Sequence, residues 1–96
     1  MDVIVGEGTV LHNGCVISHD SVIGECCFIS PMATLCGRVS LGDESFLGAG
    51  VLISNDLSIA PRTALGLGTV VTHSIEIPDQ SWIGNPMRLL EKPLRL

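Results

Sequence analysis

The chain has 96 residues, a formal net charge of −5 and a hydrophobic share of 46%. That length and apolar content suit one small folded domain and exclude a disordered chain, and the acidic balance speaks against nucleic acid, which is held mainly through Lys and Arg facing phosphates. With Phe28, Phe46 and Trp82 as its only aromatics and with eleven glycines, the core is expected to be a narrow, regular space packed with aliphatic side chains.

The start, Met1-Asp2-Val3, lacks the basic region and apolar stretch of a signal peptide, and no apolar run approaches the roughly 20 residues that span a bilayer. A cytoplasmic protein with no membrane partner is expected. From Val5 onward an aliphatic residue recurs at every sixth position: Val5, Leu11, Ile17, Ile23, Ile29, Leu35, Leu41, Leu47, Ile53, Ile59, Leu65, Val71, Ile77 and Ile83. Leu, Ile and Val make up only about three residues in ten, so an unbroken ladder of this length is not chance. The next position is mostly small, from Gly6 and Ser18 through Gly48 to Gly84, as expected where a chain turns a corner, with His12 the bulky exception. Two positions before each aliphatic runs a second series, Thr9, Cys15, Ser21, Cys27, Ala33, Val39 and Ser45, later joined by Leu57 and Ile75, of a size to fill gaps between the large residues. Cys15, Cys26, Cys27 and Cys36 show no CxxC pairing and are expected to be reduced packing residues.

A period of six fits neither an amphipathic helix nor an alternating strand, but it fits short strands joined at corners. The pattern resembles the hexapeptide-repeat proteins, with their [LIV]-G-x-x-x-x motif. That resemblance implies an all-β, single-stranded, left-handed parallel β-helix of triangular section, three hexads to each eighteen-residue coil. Fourteen hexads make between four and five coils, each burying its aliphatics against the next. We expect the β-helix over residues 1–85, in unbroken register from about Val3 to Gly84. Residues 86–96 are expected to form a capping tail whose Leu89, Leu90, Leu94 and Leu96 cover the last coil, whereas Met1 to Ile4 offer no cap at the other end.

Residues eighteen apart then stack in columns. His19 lies on Gly37, followed by Asn55 and by His73, three coils and about 14 Å away. Asn13, Pro31, Ala49, Leu67 and Asn85 form a second column, and Glu7, Glu25, Asp43, Pro61 and Asp79 an acidic third, read as a solvated edge. His19 is the one strong candidate for chemistry, since an accessible imidazole takes a proton near neutral pH. An exposed corner histidine is the plain alternative. Gly48 and Gly66 flank Ala49 and Leu67 and would let a ligand lie against exposed backbone amides, although a corner by itself accounts for them equally well.

Around His19 the stretch HDSVIGECCFISPMATLCGRVSLGDESFLGAG, and later ALGLGTVVTHSIEIPDQSWIGNPMR, resemble the sialic acid O-acetyltransferase and nucleotide-amino-sugar N-acetyltransferase family of hexapeptide proteins. The resemblance implies a homotrimer with active sites between subunits and acetyl-CoA as co-substrate. Acetyl transfer would be to a hydroxyl or amine of a sugar or other small molecule. It further implies His19 as general base, Asp20 orienting the imidazole, and the Gly37 N–H donating to the thioester oxygen. Ala49 and Leu67 would meet the pantetheine arm, presented by the neighbouring subunit, and Arg88 would approach the coenzyme phosphates. Family members carry an acceptor-binding domain ahead of the β-helix, which is not expected within these residues. A trimeric β-helix without catalysis, serving as an assembly or interaction module, is the competing expectation. A zinc site would need three converging histidines. His12, His19 and His73 occupy different corners or distant coils, so no metal is expected.

Overall fold

The computed structural model describes residues 2–94. Twelve two-residue strands follow one another at six-residue intervals and stack into three parallel sheets, one for each side of a prism. The first side holds β1 (Ile4–Val5), β4 (Val22–Ile23), β7 (Ser40–Leu41) and β10 (Ser58–Ile59). The second holds β2 (Val10–Leu11), β5 (Phe28–Ile29), β8 (Phe46–Leu47) and β11 (Ala64–Leu65), and the third β3 (Val16–Ile17), β6 (Thr34–Leu35), β9 (Leu52–Ile53) and β12 (Val70–Val71). Partners are eighteen residues apart, as in Ile23↔Leu41, Ile29↔Leu47 and Leu35↔Ile53. This is the three-sided parallel β-helix expected from the repeat.

In each strand the first residue faces out and the second in, so the six-step ladder becomes the core. Ile23, Ile29, Leu35, Leu41, Leu47, Ile53, Leu65 and Val71 are at most 2% exposed. The second series faces inward as well, buried at Ser21, Cys27, Ala33, Val39, Ser45 and Ile75 and half-buried at Thr9, Cys15 and Leu57, and its hydroxyls link coils. Ser21 Oγ donates to the Cys36 carbonyl at 3.2 Å and accepts from the Val39 N–H at 3.1 Å; Thr9 makes the equivalent pair with Gly24 and Cys27. A polar group placed this deep is tolerated because both its donor and its acceptor capacities are used.

The corners differ from expectation in one physical respect. The left-handed backbone conformation falls three residues after each ladder aliphatic from Val5 to Leu65, at Gly8, Gly14, Asp20, Cys26, Met32, Arg38, Glu44, Gly50, Asp56, Arg62 and Gly68, with φ between 54° and 74°. The small residue directly after the aliphatic is small for another reason. A Cβ on Gly48 would lie 2.7 Å from the Leu67 backbone N, and one on Gly6 would lie 2.6 Å from the Gly24 carbonyl carbon. Close stacking of coils, rather than turn geometry, requires glycine there.

The expected unbroken register ends after Val71. Ile75, not Ile77, lies beside Ile59, and Trp82, not Ile83, pairs with Leu65. Ile77 is 61% exposed while Ile75 is 3% exposed. The final coil is thus two residues short on the first side and one short on the second. Its missing length lets β13 (Ser81–Gly84) turn back through the Asn85–Pro86 peptide into β14 (Met87–Leu89), an antiparallel hairpin on the second sheet. Trp82 and Met87 pack against the core at this end, whereas Leu89 is 47% exposed, so the cap is built from the hairpin more than from the tail leucines. Leu96, expected in that cap, and Met1 lie outside the described residues. At the other end of the prism Val5 and Leu11 are 40% and 45% exposed, since no coil among the described residues stacks above them.

Candidate functional site

The edge between the third and first sides carries the stacked turns 18–21, 36–39 and 54–57. Their alignment is set by the backbone: the Arg38 N–H donates to the His19 carbonyl at 2.9 Å, and the Asp56 N–H to the Gly37 carbonyl at 3.0 Å. His19 therefore sits one coil above Gly37, with its ring folded over that residue. A Cβ built on Gly37 would fall 2.6 Å from both Cε1 and Nε2 of the ring. The Gly37 N–H donates no hydrogen bond to any described residue, and Gly37 itself is buried beneath the ring.

His19 Nδ1 lies 3.0 Å from Asp20 Oδ2, and the two side chains are about half exposed. In a neutral imidazole a carboxylate at Nδ1 selects the tautomer with its proton there, which leaves the Nε2 lone pair, the atom over Gly37, as the base. His19, Asp20 and Gly37 are thus brought together as expected. His73 lies further down the prism beyond the register break, hydrogen-bonded through Nδ1 to the carbonyl of Ser74.

The remaining candidates lie on a different edge, between the second and third sides. Gly48, Ala49, Gly66 and Leu67 line one open hollow of about 310 Å³, together with Phe46 and Ile83. Leu67 is 73% exposed, and the Gly68 N–H bonds the Ala49 carbonyl at 2.8 Å, which keeps these corners in column. Arg88 is exposed on β14 opposite Ile83, on the hairpin that borders the hollow. Within one chain His19 and the glycine-rich hollow occupy separate edges.

Two features escaped the reading of the sequence. Phe28 and Phe46 stack with ring centroids 5.6 Å apart on the outer face of the second side, and His12 tilts against Phe28 at 5.0 Å. Their eighteen-residue spacing was visible, but nothing in it told outward from inward aromatics until the phase of each strand was known. Arg38 also grips Asp56, with Nε to Oδ1 at 2.5 Å and Nη2 to Oδ2 at 3.1 Å. Opposite charges eighteen apart were the available signal. The guanidinium holds the Asp56 carboxyl below the usual carboxylate range, and the nearby His19 charge acts in the same direction. Of the cysteines, Cys27 is buried, and burial pushes its thiol above the ordinary value. Cys15 and Cys36 are half-buried, but Cys26 is exposed, because it occupies the left-handed corner position rather than the inward series.

Residues 20–55 match the family model described as Bacterial transferase hexapeptide (six repeats). Those residues carry the hexapeptide repeat that the family model describes. Among solved structures, the hexapeptide-repeat chain superposes on a hexapeptide transferase family protein from Anaplasma phagocytophilum with a TM-score of 0.85 at 26% identity, over 94% of this chain and 55% of that one. Soybean serine acetyltransferase gives a TM-score of 0.84 at 29% identity over 92% of this chain and 40% of that one. A variant of perosamine N-acetyltransferase from Caulobacter crescentus, in complex with CoA and GDP-perosamine, gives 0.78 at 28% identity over 94% and 51%. The hexapeptide-repeat chain thus resembles hexapeptide-repeat acyltransferases and spans between 40% and 55% of the length of these three. No curated protein matches it. Among the described residues, no group of three or more His, Cys, Asp or Glu side chains is placed to hold a metal ion, and no helix is long and apolar enough to cross a membrane.

Proposed function

We propose that this domain is the catalytic β-helix of a cytoplasmic, acetyl-CoA-dependent acyltransferase that moves an acetyl group to a hydroxyl or amine of a sugar or other small molecule. The observation that carries the reading is the His19 ring lying over Gly37 with its Nδ1 held by Asp20. His19 Nε2 takes the proton of the acceptor nucleophile as that atom attacks the thioester carbonyl. The Gly37 N–H donates to the oxygen on which negative charge collects, and Asp20 offsets the charge of the imidazolium. When the C–S bond breaks, the imidazolium returns its proton to the departing sulfur. Because base and hollow sit on separate edges, a homotrimer would complete each site by facing His19 of one protomer with Ala49, Leu67 and the Gly48 and Gly66 corners of the next. Arg88 then stands near the coenzyme phosphates, where a guanidinium fork suits them.

His19→Ala tests the proposal. The variant should lose acetyl transfer by a factor of roughly 10² to 10⁴ while keeping the thermal midpoint of the parent. Acetyl-CoA should raise that midpoint in both proteins, since a ligand that binds only the folded state stabilises it. No shift at millimolar acetyl-CoA would favour the non-catalytic assembly module instead.

A further inference from the structure

Asp20, Arg38 and Asp56 occupy equivalent positions eighteen residues apart, each in the left-handed conformation, with φ of 59°, 60° and 64°. The repeat therefore places Arg38 one coil, about 4.8 Å, below one carboxylate and one coil above another. Its guanidinium points down. Both of its donors go to Asp56 in a bidentate pair, and the carboxylate above is engaged by His19 Nδ1 instead. A guanidinium and an imidazole both seek a carboxylate, and the fork of an arginine is the stronger competitor for a planar acceptor. The bidentate grip of Asp56 draws Arg38 away from Asp20, which makes a further interaction besides the one with His19.

We propose that Asp56 is a positioning residue for the active site: by holding Arg38, it reserves Asp20 for His19 and so sets the tautomer that leaves Nε2 as the base. The inference rests on the reading of His19 as base. Asp56 touches no reacting atom and acts through Arg38. Among the described residues, the charged groups around His19 are Asp20 on its own turn, Arg38 and Asp56 on the turns below, and Asp2 one coil above in the column of Asp20. Arg38 is the only cation among these described residues, so its choice of partner bears directly on the hydrogen bonding at Nδ1.

Asp56→Asn is the informative change, because Asn tolerates the left-handed conformation of this corner and the turn is retained. Released from Asp56, Arg38 turns to Asp20 and displaces the imidazole. Nitrogen-15 NMR of the His19 ring reads this directly. The parent should populate mainly the Nδ1–H tautomer when neutral, Asp56→Asn should shift most of the population to Nε2–H, and Arg38→Gln/Asp56→Asn should restore the parental state. An altered field from the lost Asp56 charge alone would leave the tautomer of the single variant unchanged, and that result would overturn the proposal, as would a double variant that fails to recover. Acetyl transfer should follow the tautomer, falling about tenfold in the single variant and returning in the double, a fraction of what a positioned base supplies. An inactive parent that still shows the tautomer switch would refute the acyltransferase reading while leaving the Asp56–Arg38–Asp20 relation standing.

Discussion

Gly37→Ala separates the position of the imidazole from the stability of the fold. Gly37 does not use a left-handed backbone, so alanine fits its conformation, and the unfolded chain loses entropy worth about 0.4–1 kcal/mol in favour of folding. The new methyl carbon, however, would start 2.6 Å from Cε1 and Nε2 of His19, about 0.8 Å short of the 3.4 Å at which ordinary contact begins. The obstructed atoms are the far edge of a side chain that is about half exposed, so the ring swings outward and the backbone stays. A displacement near 1 Å in a catalytic group costs on the order of 10²-fold in rate. We expect acetyl transfer to fall by roughly that factor, with the urea midpoint unchanged or slightly raised and the Gly37 N–H still in place. Steady-state kinetics beside equilibrium unfolding measure both. Full activity would refute the claim that the His19 ring works from its seat over Gly37, and a loss of several kcal/mol in stability would show that the ring cannot yield.

The inward ladder has its own test in Leu47→Ala at the middle of the stack, where the side chain is 0% exposed; the change should cost about 3–5 kcal/mol of unfolding free energy with an unchanged m-value, and a cost below about 1 kcal/mol would mean that the coils collapse around the gap. At the exposed corners, Arg62 holds the Asp79 carboxyl below its ordinary value, as Arg38 does for Asp56. A depressed carboxylate stabilises the fold above the unfolded pKa and loses that contribution as pH falls through the folded one. Arg62→Gln should therefore lower the thermal midpoint slightly at pH 7 and not at all near pH 2; an equal drop at both would assign Arg62 a packing role.

Much of the architecture was legible because a six-residue period is a geometric instruction. An aliphatic at every sixth position calls for short strands joined at corners; that three of them make one eighteen-residue coil, and so that His19 stacks over Gly37, came with the resemblance to hexapeptide-repeat proteins. Ile77 shows where the pattern stops being sufficient. It satisfies the six-step rule as well as Val71 does, yet it is exposed, because the shortened last coil brings Ile75 beside Ile59 instead.

The sequence by itself determined the repeat and the inward ladder, which depend only on spacing along the chain, and the resemblance to hexapeptide-repeat proteins added the eighteen-residue coil that joins His19 to Gly37. The tertiary structure alone decided the phase of the final coil, the hairpin with Trp82 at its base, the outward stack of Phe28 on Phe46, and the downward choice of Arg38 for Asp56 over Asp20. The physical reason is that these are contests between near-equivalent partners one coil apart, and spacing treats such partners alike.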